Sequence, residues 1–125
     1  MEKIDNPLAP RLRVLFGHAI ALGPGKTHLL ELIAETGSIS AAARRMNMSY
    51  RRAWLLVDTM NRCFRSPLIE TATGGKGGGG AHITGLGQEI LRRYREMETK
   101  AIAATKEDME AISNHFSDIP PENPH

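Results

Sequence analysis

The chain has 125 residues, enough for one domain with a modest core and too few for a core plus a large ligand-binding module. Hydrophobic residues make up 41% and charged residues 24%, which excludes disorder throughout, and the net charge is only +2. The single cysteine, Cys63, excludes an internal disulfide and a cysteine-based zinc site.

In chain order, residues 11–16 begin with polar/apolar alternation and predict a strand. Gly23-Pro24-Gly25 predicts a loop, after which Thr27 caps a short helix through Thr36 with Gly37 as its stop. Ser38 caps a second helix, Ile39 to Met46, whose Ala41, Ala42 and Ala43 permit close approach of another helix. Asn47-Met48 breaks the pattern, and Ser49 caps a third helix to about Phe64. At ~100° per residue, Ala53, Val57, Met60 and Phe64 share one face of it, while Arg51, Leu55, Asp58, Thr59 and Arg62 share the opposite one.

Pro67 to Thr71 and Ala81 to Thr84 predict two short strands of a hairpin, with a mobile glycine-rich tip between them. Thr84 caps a final helix to about Asn114, some ~45 Å long at ~1.5 Å per residue. A body this small cannot cover such a length, so a second copy is expected along it. The expected contacts are Ile90, Leu91, Tyr94, Met97, Ala101, Ile102, Thr105 and Met109. The organisation is therefore a flexible N-terminus over 1–9, a body over 10–84, a long dimerisation helix over 85–115 and a disordered tail over 116–125.

Charge is laid out unevenly. Arg44 to Arg95 holds ten basic residues, nine of them arginine, against three acids. From Glu96 onward seven acids face two lysines. Arginine is the side chain suited to bidentate phosphate and guanine contacts. Two tight helices, a break and a third helix with arginines on its outer face describe a helix-turn-helix, and the hairpin makes it winged. The fold class is mainly α with a small antiparallel sheet. In such motifs the last helix enters the major groove with its first turn nearest the base edges. Here that turn holds Ser49, Tyr50, Arg51 and Arg52, and Leu55 follows on the same outer side.

Three segments, Thr36 to Arg44, Met48 to Trp54 and Thr73 to Ala81, resemble the DNA-binding domain of the ModE family of molybdate-responsive transcription regulators. The similarity runs from about Leu12 to Ile112, and the glycine-rich third segment is the most distinctive. The resemblance implies a winged helix-turn-helix, dimerisation through the terminal helix, and repression at a palindromic operator of molybdate-transport genes. Carried over, the contact segments are Ser38 to Arg45, Ser49 to Trp54 and the wing around Lys76, and the DNA contacts expected are Ser38, Ser40, Arg44, Arg45, Ser49, Tyr50, Arg51, Arg52, Leu55 and Lys76. Family members continue into paired domains that hold molybdate, and residues 1–125 end before them. Double-stranded DNA and a second copy are thus the expected partners, no cofactor is expected in this chain, and molybdate is implied by family alone.

Other motifs give way to plainer readings. Gly25-Lys26-Thr27 imitates the end of a P-loop, but the required glycine five residues earlier is Ile20. Gly75, Gly77 and Gly80 satisfy a dinucleotide pattern formally, yet a strand rather than a helix follows. The five histidines have no ligand-like spacing, and no nucleophile–base pair is evident, so no enzymatic activity is expected. Trp54 reads as a packing residue, Tyr50 as either packing or contact, and Cys63 as a small hydrophobe. The start, Met1 to Pro7, lacks the apolar stretch of a secretory signal, and the longest uncharged apolar run, Val14 to Pro24, is too short to span a bilayer. A cytoplasmic location without membrane contact is expected. The competing reading is a winged-helix interaction module whose arginine face meets an acidic partner or a separate sensing protein. The fold alone does not choose between them.

Overall fold

The computed structural model describes residues 9–72 and 80–122. A hairpin of β1 (Val14–Phe16) and β2 (Ala19–Leu22) leads into α1 (Pro24–Thr36), α2 (Ile39–Arg45) and α3 (Tyr50–Cys63). A second hairpin, β3 (Ile69–Ala72) and β4 (Gly80–Ile83), leads into the long α4 (Gly85–Ser113). The two sheets are separate and antiparallel.

The N-terminal region differs from its sequence reading in two ways. The strand expected over 11–16 forms only from Val14, and a partner strand pairs back through Phe16↔Ala19 and Leu15↔Ile20. Gly17, at φ 61, makes the tight reversal possible. The carbonyl of Leu12, left out of this ladder, accepts a 2.7 Å hydrogen bond from the Tyr94 hydroxyl of α4. Second, Gly23-Pro24-Gly25 is not a loop. Gly23 is the N-cap and Pro24 opens α1, where a missing N–H costs nothing and the fixed φ suits a helix. Thr27 does not cap. It is fully buried, and its hydroxyl donates to the Gly23 carbonyl at 2.8 Å.

The rest follows the expected punctuation. Gly37 closes α1 in the left-handed conformation, φ 70, with its N–H on the Ile33 carbonyl at 2.8 Å. Its own carbonyl accepts from Ala81 at 2.9 Å, so the end of α1 is stitched to β4. Ser38 caps α2 through the Ala41 N–H, and Ser49 caps α3 through the Arg52 N–H, each at 3.1 Å. Between them Asn47 sits at φ 55, a conformation asparagine tolerates better than most residues, and this turn sets α3 across α2. Ala42 and Ala43 are buried where the helices approach. Leu29, Leu30, Ile33, Ala53, Val57, Met60 and Leu68 complete the core, which Tyr94 joins from α4.

α4 has 29 residues, ~43 Å. Its first turns belong to the body. Arg95, almost fully buried, bonds Glu31 of α1 at 3.0 Å and Glu98 at 2.8 Å. Burial works against its charge, but the hydrogen bonds it donates to Glu98 and Glu31 outweigh that and hold the guanidinium protonated. Burial, together with the nearby Glu98 charge, pushes the Tyr94 phenol above its ordinary pKa.

Gly87 is the closest point between α4 and the wing. A Cβ there would sit inside van der Waals contact of the Leu68 carbonyl oxygen and 3.3 Å from the Ile83 Cβ. Helix propensity alone favours alanine over glycine by ~1 kcal/mol. Because the obstruction is backbone, which cannot swing aside, we expect Gly87→Ala to be destabilising by about 1–3 kcal/mol, as overpacked sites are. Urea unfolding measures it; a gain in stability would mean that α4 docks elsewhere.

Candidate nucleic-acid interface

The third helix is sided as its period requires. Ala53, Val57 and Met60 are buried, while Arg51 and Arg52 are exposed and Leu55 keeps 56% of its surface in solvent. The Ser49 hydroxyl engages one N–H of the first turn, which faces outward together with Tyr50 at 51% exposure. Trp54, read from sequence as packing, is 38% exposed on the flank, so packing claims only part of its ring. From α2, Ser40, Arg44 and Arg45 are exposed, while Ser38 is half-buried because its hydroxyl is spent on the cap.

Not every arginine of the central run is available to a ligand. Arg62 pairs with Asp58 at 3.0 Å, Arg92 with Glu96 at 2.7 Å, and Arg95 is consumed internally. Arg45 lies 3.7 Å from Glu35, an exposed contact worth little. Arg44, Arg51 and Arg52 make no ion pair among the described residues. The positive surface is therefore narrower than the residue count implies: Arg51 and Arg52 stand at the start of α3 with Arg44 at the end of α2, and Arg65 and Arg93 are exposed elsewhere. Lys26, at the start of α1, adds to it. Burial lowers its pKa below the usual lysine value, and the charges of Arg52 and Arg13 push the same way. In sequence, Lys26 stands only as part of an incomplete P-loop. With Thr27 turned inward and α1 opening at Pro24, no phosphate cradle of that type exists there.

The wing is held by a residue that carried no sequence signal. The Asn61 side-chain carbonyl accepts from the Leu68 N–H at 2.8 Å and the Ile69 N–H at 3.1 Å, and its amide donates to the Ile69 carbonyl at 3.0 Å. This ties the last turn of α3 to the first residue of β3. β3 and β4 then pair in register from Ile69↔Ile83 to Ala72↔Gly80. Gly80 stands in this strand, so no dinucleotide-type helix starts there. Lys76 and the tip around it fall outside the described residues.

A family model described as the bacterial regulatory helix-turn-helix protein, lysR family, matches residues 26–88, from α1 to the first turn of α4. The chain belongs to this family. As a LysR-type helix-turn-helix protein it sits among regulators, not enzymes. It is similar to the molybdenum-pterin-binding protein MopA of Rhodobacter capsulatus, 39% identical over 101 residues, covering 78% of this chain and 38% of MopA. It is also 42% identical over 88 residues to the transcriptional regulator ModE of Yersinia pestis, covering 68% of this chain and 34% of that protein. The DNA-binding transcriptional dual regulator ModE of Escherichia coli K12 is 40% identical over 88 residues, with the same coverages of 68% and 34%. The chain spans about a third of the length of these relatives. The β1–β2 hairpin and most of α4 lie outside the matched family segment. No helix among the described residues is long and apolar enough to cross a membrane.

The residues expected on the second-copy face divide in two. Tyr94 is fully buried in its own chain with its hydroxyl on Leu12, so it is core of this helix-turn-helix body and offers nothing to a partner. Ile90 and Leu91 pack partly against the same core. Farther along, Met97 is 43% exposed, and Ala101, Ile102, Thr105 and Met109 are half-buried. Ile102, Thr105 and Met109 line a groove of about 330 Å³ with Ala9, Pro10, Lys106 and Glu110.

Replacing Asn61 tests how the wing is held. Asn61→Ala removes three hydrogen bonds and leaves two N–H groups beside buried Leu68 and Ile69 without that acceptor, which is expected to cost about 1–3 kcal/mol of stability. Hydrogen exchange at Leu68 and Ile69 should rise before global unfolding does; unchanged protection would show that the wing is anchored by other contacts.

Proposed function

We propose that this chain is the DNA-reading part of a molybdate-responsive transcription regulator that binds a palindromic operator as a homodimer, acts as a repressor and works in the cytoplasm. The observation that carries this reading is the set of arginines, Arg44, Arg51 and Arg52, left without ion pairs around the capped start of a helix whose opposite face is core. An outward helix N-terminus supplies N–H groups and a positive dipole end for phosphate, and arginine supplies the fork that reads guanine. Ser40 and Arg45 of α2 and Tyr50 and Leu55 of α3 are exposed and are assigned to the same contact, with Lys76 assigned to the wing. The relatives' names supply the regulatory and molybdenum-related terms. The half-exposed α4 stripe from Met97 to Met109 supports the dimer.

The described residues do not suit molybdate itself. An oxyanion needs converging donors, and the groove along α4 offers apolar Ile102 and Met109 with the Glu110 carboxylate beside Lys106. A second, shallower hollow carries both Glu107 and Glu110. Titration calorimetry of residues 1–125 with molybdate and tungstate is expected to show no saturable micromolar binding. A saturable isotherm would place a sensing site in this chain.

DNA reading separates into two roles with different signatures. Replacing a side chain that makes a bidentate guanine contact costs ~1–3 kcal/mol and relaxes preference at one position of each half-site. We expect this for at least one of Arg51→Ala and Arg52→Ala, with Arg51 favoured because it lies opposite the core face. Lys76→Ala should instead weaken all sequences alike and reduce the salt slope by about one unit per lost phosphate contact. Binding to cognate and scrambled duplexes at several salt concentrations measures both. If Lys76→Ala alters sequence preference and neither arginine variant does, the two roles are reversed.

A further inference from the structure

Three large apolar side chains stand in solvent within two turns of α3: Tyr50, Trp54 and Leu55. The core does not require them. Ala53 and Val57 are buried on the other side of the helix, and Leu56, the neighbour of Leu55, already packs against that core. A lone exposed leucine is ordinary, but a cluster of this kind marks a surface that something covers. At ~100° per residue, Leu55 points between Arg51 and Arg52 and stands one turn beyond them. Trp54 follows Tyr50 by four residues, so the two rings are neighbours on the Arg51 flank. From Tyr50 to Leu55 there are two arginines and no acid. A partner that matches this face carries negative charge and, between its charges, an apolar group small enough for one side chain to touch.

We propose that Leu55, with Trp54 beside it, reads the C5-methyl group of a thymine in the major groove, close to the base that Arg51 or Arg52 contacts. This rests on the DNA-binding reading above and adds a base to it. Thymine presents a methyl group in that groove where the other bases present hydrogen-bonding atoms, so an apolar side chain is what distinguishes it. The next turn of α3 bounds the reading window. Asp58 is bonded to Arg62 at 3.0 Å, so that turn offers a satisfied ion pair and a carboxylate that a polyanion repels. Arg51 and Leu55 are separated by ~6 Å along the helix axis, about two base-pair steps of ~3.4 Å. The thymine therefore lies within about two base pairs of the base that an arginine reads.

Selection from a random duplex library with residues 1–125 supplies the site, and each thymine in it is then replaced in turn by deoxyuridine. Deoxyuridine keeps every hydrogen-bonding group and lacks only the methyl. At one position the dissociation constant is expected to rise about threefold or more for each copy replaced, the size of one buried methyl. Leu55→Ala should abolish that dependence and Leu55→Met should keep it, both with an unchanged circular dichroism spectrum. A second measurement needs no variant. 5-Iododeoxyuridine at the same position sets a photoreactive iodine where the methyl stood, and irradiation should crosslink it to the peptide that holds Tyr50, Trp54 and Leu55. If no sequence is enriched, the DNA-binding reading itself falls. If a site is enriched but its affinity depends on no thymine methyl, the thymine contact is overturned while DNA binding stands. A dependence that persists in Leu55→Ala, or a crosslink to another segment, overturns it equally.

Discussion

The backbone at Leu68 is the point on which the other placements depend. Its N–H is held by Asn61 of α3, its carbonyl accepts from the Thr84 N–H at 2.9 Å, and Gly87 passes against that same oxygen. Thr84 works in two directions, since its hydroxyl donates to the Pro67 carbonyl at 2.8 Å while accepting the Gly87 N–H at 3.0 Å as the cap of α4. The third helix of the motif, the second hairpin and the long helix therefore meet within a few residues. The Leu68 side chain is fully buried, so this meeting point cannot shift without disturbing the core. A helix-turn-helix reads DNA only if its wing and recognition helix keep a fixed angle, and directional hydrogen bonds, here partly buried, fix it better than apolar packing, which tolerates sliding.

Charge in this chain serves position as much as binding. A count along the sequence makes 44–95 a block of arginine, yet the fold spends Arg95 on joining α4 to α1 and Arg62 on Asp58. An ion pair as buried as Arg95 with Glu31 and Glu98 is weak evidence for net stability, because desolvation consumes much of the attraction. Its geometric effect is clearer: the fork contacts carboxylates from two helices and so orients one against the other. Of the arginines in that block left without an ion pair among the described residues, Arg51 and Arg52 stand at the capped start of α3 and Arg44 in the last turn of α2, while Arg65 and Arg93 lie beyond the far end of α3 and on α4.

Much of this architecture was legible. Ser38, Ser49 and Thr84 announce three helix starts, Gly37 one helix end, and the apolar period of α3 its buried face. The errors have physical causes. Gly23-Pro24-Gly25 has loop composition, but proline is favoured in a first helical turn and glycine is a passable cap, so the helix is capped four residues early, at Gly23 instead of Thr27. β2 lay hidden in an uncharged apolar run, where alternation gives no contrast. Tyr94 matches the stripe of α4 perfectly well by period, and period cannot say whether a stripe meets its own body or another chain. Asn61 was invisible because a side chain that bonds backbone eight residues ahead leaves no local pattern.

The same limit explains why α4 has two halves with different roles and one continuous stripe. Up to Glu98 its apolar and buried charged side chains are absorbed by α1 and the N-terminal segment; from Met97 onward the stripe continues with half-exposed groups. Since Thr84, Gly87, Tyr94 and Arg95 clamp the first half to the body at four levels, the second half leaves it as a rigid extension of the recognition unit. Whatever occupies the stripe then inherits a fixed relation to α3. For a second copy this has a direct consequence: the separation of the two recognition helices is set by the register of α4 against α4 and not by a flexible linker, so a shift of one helical turn, ~5.4 Å, would move the two reading heads out of step with half-sites spaced by the ~34 Å repeat of the duplex.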